Sequence, residues 1–345
     1  MDLKILHTAD LHLSRDKPST LAALDEILKV AKKNKVNILT IGGDLFDRAT
    51  DAEELRVEMR EKFSKDDFKI IAIPGNHDTN VYREGLDFGK NFIPITDEPF
   101  GTYPLENINL VGIPYLEELN QNILEQLKNE IKTDKINILL LHCTLDIGFS
   151  LNDFGDEIKY CPISKSKLER LNYDYILAGH FHTKTDIIKI NEKSTFIYPG
   201  SPTSITTKEL GKRKAVLIDL AKNEIKEITL NTFYHDKLTT TVIPNKEDET
   251  ISEIKRWLSK QEIIDGNIEV TINGFIRKNE IEYRELIDNL NENVIFNHHY
   301  KIISQILNDP LFIKFKTKLE ESDYANKEAI ENIVLEAASK VLVGD

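Results

Sequence analysis

The sequence contains little cysteine: Cys143 and Cys161 are the two in 345 residues. Two cysteines far apart are too few for the disulfide framework that holds many small secreted domains together. No apolar run reaches the roughly 18 residues that a membrane-spanning helix needs, and no segment resembles the apolar core of a secretory signal. These absences argue against a secreted disulfide scaffold and against a membrane partner, and they predict a reduced, cytoplasmic protein.

The sequence also has fewer basic than acidic residues, with 45 Lys and Arg residues against 58 Asp and Glu residues. The net charge of −13 and the pI near 5.3 argue against a protein that coats nucleic acid electrostatically. They do not exclude an enzyme that binds phosphate through a bound metal ion, since such a cation is often the largest charge in its site. Net charge alone therefore decides little about function.

Apolar runs alternate with helical patterns over the first two thirds of the chain. The pattern predicts, in order, 4–7 (strand), 18–34 (helix), 38–41 (strand), 51–63 (helix), 70–73 (strand), 108–113 (strand), 116–130 (helix), 136–141 (strand) and 174–178 (strand). From residue 185 to residue 220, strand follows strand without a helix between them. Alternation followed by such a meander predicts an α/β fold in which mixed sheets are flanked by helices.

The chain is longer than one average domain, and its character changes after the meander. A β-α-β-α-β pattern follows, and then two helices near 311–320 and 326–342, the second with an apolar stripe along one face. We therefore predict a main domain over 1–234, a small α/β domain over 235–305 and a helical tail over 306–345.

The most informative feature is a set of five short segments rich in Asp, His and Asn, each placed where a predicted strand ends. They are Asp10-Leu11-His12, Gly43-Asp44-Leu45-Phe46-Asp47, Gly75-Asn76-His77-Asp78, His142 and Gly179-His180-Phe181-His182. Open α/β sheets carry their sites at the carboxyl ends of strands, where side chains are held rigidly and still reach solvent. Each segment alone is a weak signal, but all five in this position predict enough oxygen and nitrogen ligands for two metal ions.

The mixture of carboxylate, imidazole and amide ligands indicates both the metal and the reaction. Such a set suits first-row ions such as Mn²⁺, Fe²⁺ or Zn²⁺ better than Mg²⁺ alone or a thiolate-bound zinc. Two ions about 3.5–4 Å apart can clamp the attacking and leaving oxygens of a phosphate ester. The sequence therefore predicts metal-assisted phosphoester hydrolysis.

In this order, the segments resemble the signature of the calcineurin-like metallophosphoesterase superfamily. The opening His7-Thr8-Ala9-Asp10-Leu11-His12-Leu13 is similar to its SbcD-type branch, the nuclease subunit of a DNA double-strand-break repair complex, and so is Tyr198-Pro199-Gly200-Ser201-Pro202. The motifs cover residues 3–220. The resemblance implies a four-layer metallophosphoesterase sandwich, and by position and pattern alone it implies a DNA-capping domain and a tail of helices after it.

The resemblance also implies a role for each motif residue. The first metal would be held by Asp10, His12 and His182 and the second by Asn76, His142 and His180, with Asp44 bridging both. His77 would not be a ligand. It would contact the scissile phosphate and protonate or stabilise the leaving oxygen.

Asp47 departs from part of the family, in which some archaeal and eukaryotic members carry a His that helps to position DNA. An Asp resembles the bacterial pattern and cannot play that cationic role. Its role stays open between support of a ligand histidine and a structural turn. Asp78 is likewise expected either to support a ligand or to be structural.

Basic residues near the motifs are candidate DNA contacts, although each also fits ordinary surface charge. Arg15, Arg48 and Arg83 each follow a ligand segment closely. Lys212 and Arg213 belong to a basic cluster that could contact phosphates and that is equally typical of a solvated hairpin.

These features predict a Mn²⁺-dependent DNA exonuclease and endonuclease that acts in repair or end processing. The alternatives are a small-molecule phosphodiesterase or phosphatase with the same metal centre, and a non-catalytic scaffold. The resemblance implies an SbcC-like coiled-coil ATPase as partner, bound by the apolar stripe of 326–342, which could instead pack on its own domain. It also implies a homodimer, for which 18–34 and 82–89 are the candidate helices.

Overall fold

The computed structural model describes residues 3–65, 67–82, 86–105, 107–146, 160–261, 266–277 and 279–341. The chain divides into two compact units, Met1–Tyr234 and His235–Asp345. Arg83, one of the candidate DNA contacts, lies outside the described residues.

The described part of the first unit contains two six-stranded sheets and a two-stranded one. Its elements are β1 (Lys4–Thr8), α1 (Pro18–Lys33), β2 (Ile38–Ile41), α2 (Ala49–Ser64), β3 (Lys69–Ala72), β4 (Phe92–Pro94), β5 (Gly101–Pro104), β6 (Ile108–Gly112), α3 (Gln121–Asn129), β7 (Ile136–His142), β8 (Leu145–Asp146), β9 (Ile163–Ser164), α4 (Lys165–Leu171), β10 (Tyr175–Gly179), β11 (Asp186–Lys189), β12 (Thr195–Tyr198), β13 (Lys214–Asp219) and β14 (Glu224–Thr229). One large sheet has the order β14-β13-β1-β2-β3-β4 and the other the order β11-β12-β10-β7-β6-β5. The central strands of both sheets are parallel, so their carboxyl ends lie at one edge.

The two large sheets face each other, and helices cover the outer face of each. Successive side chains of a strand point to opposite faces, so Ile5 and Leu140 meet in the core between the sheets. Their neighbours point outward: Leu6 packs with residues of α1 and α2, and Leu139 packs with residues of α3 and α4. The result is a four-layer helix–sheet–sheet–helix sandwich, which confirms the predicted fold class.

Helix ends and short elements are where structure and sequence pattern differ. The helix predicted from residue 116 begins only at Gln121, because the Asn120 side chain accepts a hydrogen bond from the Ile123 amide at 3.0 Å and caps it there. The helix predicted over 82–89 is wrong for Tyr82 and residues 86–89, which have no helical structure. Of the two candidate helices for a homodimer, α1 therefore remains.

The second unit builds a small sheet and packs helices on it. Its elements are β15 (Tyr234–Val242), α5 (Glu247–Leu258), β16 (Gly266–Ile276), α6 (Glu280–Asp288), β17 (Val294–Ile302), α7 (Ser304–Leu307), α8 (Pro310–Glu320) and α9 (Lys327–Val341). The sheet has the order β15-β16-β17. Phe275, Phe312 and Leu335 share one buried core, so the tail packs on the small domain within one unit. Among the described residues, no helix combines the length and apolar character needed to cross a membrane.

Candidate metal centre

The loops after β1 and β2 run side by side and carry the first candidate ligands. The Asp10 amide donates to the Gly43 carbonyl at 3.1 Å, and the His12 amide donates to the Asp44 carbonyl at 3.0 Å. Asp10, His12 and Asp44 adopt left-handed backbone conformations with φ of 56°, 47° and 52°. Non-glycine residues rarely adopt this conformation, and it concentrates at functional sites where the surrounding structure enforces it.

Two glycines let the ligand loops approach more closely than any side chain would permit. A Cβ on Gly75 would lie 2.1 Å from Asp44 Oδ1, and a Cβ on Gly43 would lie 2.3 Å from His142 Nδ1. Gly43 also has a φ of +100°, which glycine adopts without strain. These close approaches explain why glycine precedes the candidate ligand in both motifs.

Asp10, His12, Asp44 and His182 each offer a ligand atom, and these atoms all lie within 4.8 Å of one another. His12 Nε2 is 3.3 Å from His182 Nε2 and 3.7 Å from Asp44 Oδ2. Asp10 Oδ1 is 3.9 Å from His182 Nε2. The structure therefore brings together the predicted first-metal residues and the predicted bridging carboxylate.

A second group meets the first at Asp44. His142 Nε2 lies 3.0 Å from Asn76 Oδ1 and 3.5 Å from Asp44 Oδ2, so this one carboxylate oxygen faces both groups. The His180 ring lies beside the His142 ring, with centroids 5.2 Å apart. Its backbone amide donates to both carboxylate oxygens of Asp10 at 2.9 and 3.0 Å, which ties the two sides of the centre together.

The proton positions in this second group fit a bound cation. His142 Nδ1 lies 2.8 Å from the Gly42 carbonyl, which can only accept, so the imidazole proton is assigned to Nδ1. The lone pair of Nε2 then faces the oxygens of Asn76 and Asp44, which also present lone pairs. A cation placed among these three atoms would accept a lone pair from each of them.

The first group has the same pattern, because a carboxylate faces the outer nitrogen of each histidine. His12 Nδ1 is 3.3 Å from Asp47 Oδ1, and His182 Nδ1 is 3.5 Å from Glu209 Oε1. Such carboxylates fix the tautomer of a metal-ligating histidine and raise its basicity. With Asp47 and Glu209 at the Nδ1 atoms, the Nε2 lone pairs of His12 and His182 point toward each other and toward the carboxylates of Asp10 and Asp44.

Asp47, whose role the sequence leaves open, thus contacts a candidate ligand. Its Oδ2 also lies 3.1 Å from Lys17 Nζ. The hydrogen bond from His12 outweighs burial and, with that from Lys17, holds the pKa of Asp47 well below its usual range. The side chain therefore stays ionised and able to orient His12.

Glu209 also faces a candidate ligand, although no feature of the sequence predicted it. It is buried, and its Oε2 accepts hydrogen bonds from Ser201 Oγ at 2.9 Å and from the Ile205 amide at 2.8 Å. Burial alone would raise the pKa of Glu209, but hydrogen bonds from His182, Ile205 and Ser201 together hold it below its ordinary value. No motif marks this glutamate, because its contact with His182 depends on how the intervening loop closes.

We expect Glu209→Gln to weaken Mn²⁺ binding by about 10–100-fold, the usual effect of losing a partner behind a ligand histidine. Glutamine keeps the size and an acceptor oxygen but loses the charge that polarises His182. Calorimetric titration of Mn²⁺ measures the effect, with exposed Glu227→Gln as the matched control. Unchanged affinity in a normally folded Glu209→Gln protein would mean that Glu209 only packs its loop.

Arg213 is a correction to the predicted DNA contacts. Its side chain is buried, and it donates to the carbonyls of His182, Thr183 and Ser201. The guanidinium therefore holds the backbone of a candidate ligand and does not reach solvent. Lys212, its neighbour in the chain, is half-buried.

The other two candidate arginines among the described residues, Arg15 and Arg48, are exposed but paired with carboxylates. Arg15 lies 3.5 Å from Glu58, while Arg48 lies 2.7 Å from Asp51 and 2.9 Å from Asp16. Asp51 is buried, whereas Glu58 and Asp16 are at least partly exposed. Because both guanidinium groups are themselves exposed, Arg15 and Arg48 remain candidate substrate contacts.

Asp78 connects the loops beneath the centre. Its Oδ1 accepts from the Gly75 amide at 2.7 Å, and its Oδ2 accepts from the Leu45 amide and the Tyr82 hydroxyl, both at 2.9 Å. Burial and the nearby charge of Asp44 raise the pKa of Asp78 to about 6. These contacts give Asp78 a structural part in joining the second and third motifs.

His77 differs from the ligands in being exposed. Its amide donates to Asp44 Oδ1 at 2.9 Å, and its Nδ1 lies 3.2 Å from the Asp47 carbonyl. Its ring stands edge-on to His12, with centroids 4.7 Å apart. His77 is therefore held at the solvent side of the centre, where an incoming substrate would meet it.

A carboxylate shared between two ligand groups suits a pair of divalent cations, and such pairs catalyse phosphoester hydrolysis among other hydrolytic reactions. Together with the motifs, this site defines the class of protein as a metal-dependent phosphoesterase. Sequence comparison agrees: the chain belongs to the calcineurin-like phosphoesterase family, whose sequence profile matches residues 3–184. The family predicted from the motifs is confirmed.

Two relatives show how far the similarity extends. The chain is 24% identical to the SbcD chain of the nuclease SbcCD from Staphylococcus epidermidis, over 97% of this chain and 86% of that protein. It is 25% identical to the uncharacterized metallophosphoesterase YhaO of Bacillus subtilis, over 65% of this chain. The second match spans 59% of the length of YhaO, less than two thirds of it.

Solved structures also resemble the chain, at low identity. TT1561 of Thermus thermophilus aligns with a TM-score of 0.45 and 15% identity, over 66% of this chain and 99% of that one. A dimetal phosphatase from Danio rerio aligns with a TM-score of 0.45 and 11% identity, over 66% of this chain and 98% of that one.

Proposed function

We propose that this phosphoesterase is a Mn²⁺-dependent DNA exonuclease and endonuclease that works in repair or end processing. The observation that carries the proposal is the extent of the similarity to the SbcD chain of the nuclease SbcCD, which includes the second unit as well as the metal centre. A phosphatase related through the centre alone would match only the first unit. In this proposal residues 235–305 form the DNA-capping domain.

The chain's own residues have distinct parts in the proposed reaction. Asp10, His12 and His182 would hold one cation, Asn76, His142 and His180 would hold the other, and Asp44 would be shared by both. Bound divalent cations supply Lewis-acid stabilisation of the phosphoryl oxygens and an activated water. His77 contacts the scissile phosphate and gives a proton to the leaving oxygen as the ester bond breaks.

The ligand set supports a first-row ion such as Mn²⁺ over Mg²⁺ and over a thiolate-bound zinc. The centre combines imidazole nitrogens with carboxylate and amide oxygens, and contains no thiolate among the ligand groups described above. Imidazole disfavours Mg²⁺, which prefers oxygen ligands and retains its waters. Both free thiols, Cys143 and Cys161, are buried and have pKa values raised by burial.

The substrate is tested by offering DNA and small esters together. Protein loaded with Mn²⁺ is incubated with linear duplex DNA, single-stranded DNA and methyl p-nitrophenyl phosphate. Release of nucleotides or internal nicking supports the proposal. Turnover of the small ester beside intact DNA would instead identify a small-molecule phosphodiesterase, and inactivity with no bound metal would identify a scaffold.

The partner proposed for the second unit is the coiled coil of an SbcC-like ATPase. Leu311 and Ile313 on α8 and Ile333 on α9 are 78%, 50% and 66% exposed. These helices hold their own core through Phe312 and Leu335, which are buried. Their outer apolar side chains are therefore available to a partner helix. The opposite face of each helix packs on its own domain, as the alternative for this stripe expects.

We expect the double variant Leu311→Glu/Ile333→Glu to weaken binding of the ATPase coiled coil by about tenfold or more, as loss of central apolar contacts does. Both positions are exposed, so thermal stability and basal hydrolysis stay near wild type. Biolayer interferometry measures binding, with Val57→Glu, 64% exposed on α2, as control. Equal affinity of wild type and double variant would place the partner elsewhere.

A further inference from the structure

A cavity of about 300 Å³ lies beside the loop that carries Asn76. Pro74 and Tyr115 are in its wall, and the Tyr115 amide donates to the Pro74 carbonyl at 3.0 Å, which fixes these two parts of the wall together. The Tyr115 ring is 6.4 Å, centroid to centroid, from the ring of His142. The cavity therefore begins directly next to the candidate ligands of the second group.

The lining combines flat apolar faces with polar edges. Pro74, Pro114 and Tyr115 provide the apolar faces. Asn80 and Thr96 are exposed lining residues that carry hydrogen-bond donors and acceptors. Such a mixture recognises a planar heterocycle, which stacks on a ring and hydrogen-bonds along its edge.

The charge of the lining argues against a second phosphate. None of the described residues that line the cavity is Lys or Arg, and Glu98 contributes a carboxylate. A phosphate would meet repulsion there, whereas the exocyclic amines and ring N–H groups of nucleobases donate to a carboxylate.

We propose that this cavity receives the nucleobase of the nucleotide next to the scissile phosphate. The inference rests on the proposed function, because it takes the ester to be part of a nucleic acid. Small-molecule sites begin at roughly 300 Å³, so the cavity has room for one base. A base that enters it must leave its partner strand, as bases do in enzymes that extrude a nucleotide from the duplex.

The test pairs a change in the protein with a change in the substrate. Single-stranded oligonucleotides carry either a normal or an abasic nucleotide next to one cleavable linkage, the others being blocked as phosphorothioates. With wild type, removal of the base lowers kcat/KM by about tenfold or more, the usual value of stacking one base on an aromatic side chain. Tyr115→Ala lowers kcat/KM for the normal strand similarly and is insensitive to the abasic change, while Tyr115→Phe behaves as wild type.

Equal sensitivity to the abasic change in wild type and Tyr115→Ala would overturn the proposal, as would no sensitivity in wild type. If Tyr115→Ala fails to fold, Asn80→Ala at an exposed position replaces it. If DNA is not cleaved at all, thymidine 5′-(p-nitrophenyl) phosphate is compared with methyl p-nitrophenyl phosphate. If wild type prefers the nucleoside ester and Tyr115→Ala abolishes that preference, the cavity binds a nucleobase even though DNA is not the substrate. If wild type shows no preference, the base-binding role of the cavity is refuted as well.

Discussion

Asp44→Asn is expected to lower phosphodiester hydrolysis by about a thousandfold or more, because metal-ion catalysis supplies several kcal/mol and each 1.4 kcal/mol is a factor of ten. Asp44 Oδ2 lies 3.7 Å from His12 Nε2 and 3.5 Å from His142 Nε2. The amide removes the one negative charge that both ligand groups share. Initial rates with excess Mn²⁺ measure the loss.

Measuring metal binding distinguishes loss of the shared carboxylate from misfolding of the variant. Wild type should melt at a higher temperature when Mn²⁺ is added, because a ligand that binds only the folded state stabilises it. Asp44→Asn should lose most of this rise, whereas Asp25→Asn, exposed on α1, should keep it. If Asp44→Asn bound two equivalents of Mn²⁺ with wild-type affinity, the bridging role would be refuted.

His77→Ala has the second largest expected effect: hydrolysis of DNA falls by about 10²–10⁴-fold, the usual contribution of a positioned acid or base. The metal content stays unchanged, because His77 is exposed and its contact with Asp44 is made by the backbone amide. The loss is smaller for a p-nitrophenyl ester, whose leaving oxygen needs no proton. Rates on both substrates and elemental analysis of the protein measure these effects.

His299→Ala, a change at an exposed histidine of β17, is the control for removal of an imidazole. Loss of a metal equivalent in His77→Ala would identify His77 as a ligand. That result would also give weight to the three-residue group of His12, Asp47 and His77, whose ligand atoms lie within 4.8 Å of one another. An equal loss on both esters would argue against proton donation.

The sandwich was predictable because its strands are buried on both faces. A run such as Ile138-Leu139-Leu140-Leu141 is apolar at every position because alternate side chains pack into two different cores. The motif residues were predictable for a related reason: parallel strands end at one edge, so residues that follow different strands meet there. Short elements such as β4 and α4 have too few residues for a periodic pattern to emerge.

The supporting residues were not predictable in the same way. Glu209 and Arg213 both act on His182, but the loop that brings them there has no regular period. Arg213 looked like a surface charge because sequence does not show that carbonyl groups surround it. Asp47 could be interpreted only once its distance to His12 was known.

The candidate ligands are divided between the two large sheets. Asp10, Asp44 and Asn76 follow strands of one sheet, whereas His142 is the last residue of a strand of the other sheet and His182 follows one. A cation held by both sets would tie the two halves of the sandwich together, much as a cross-link does, and its binding free energy would add to that of folding. Depletion of metal would then loosen the seam between the sheets and expose the chain to proteolysis. Metal supply would thereby govern the lifetime of the enzyme in the cell as well as its rate.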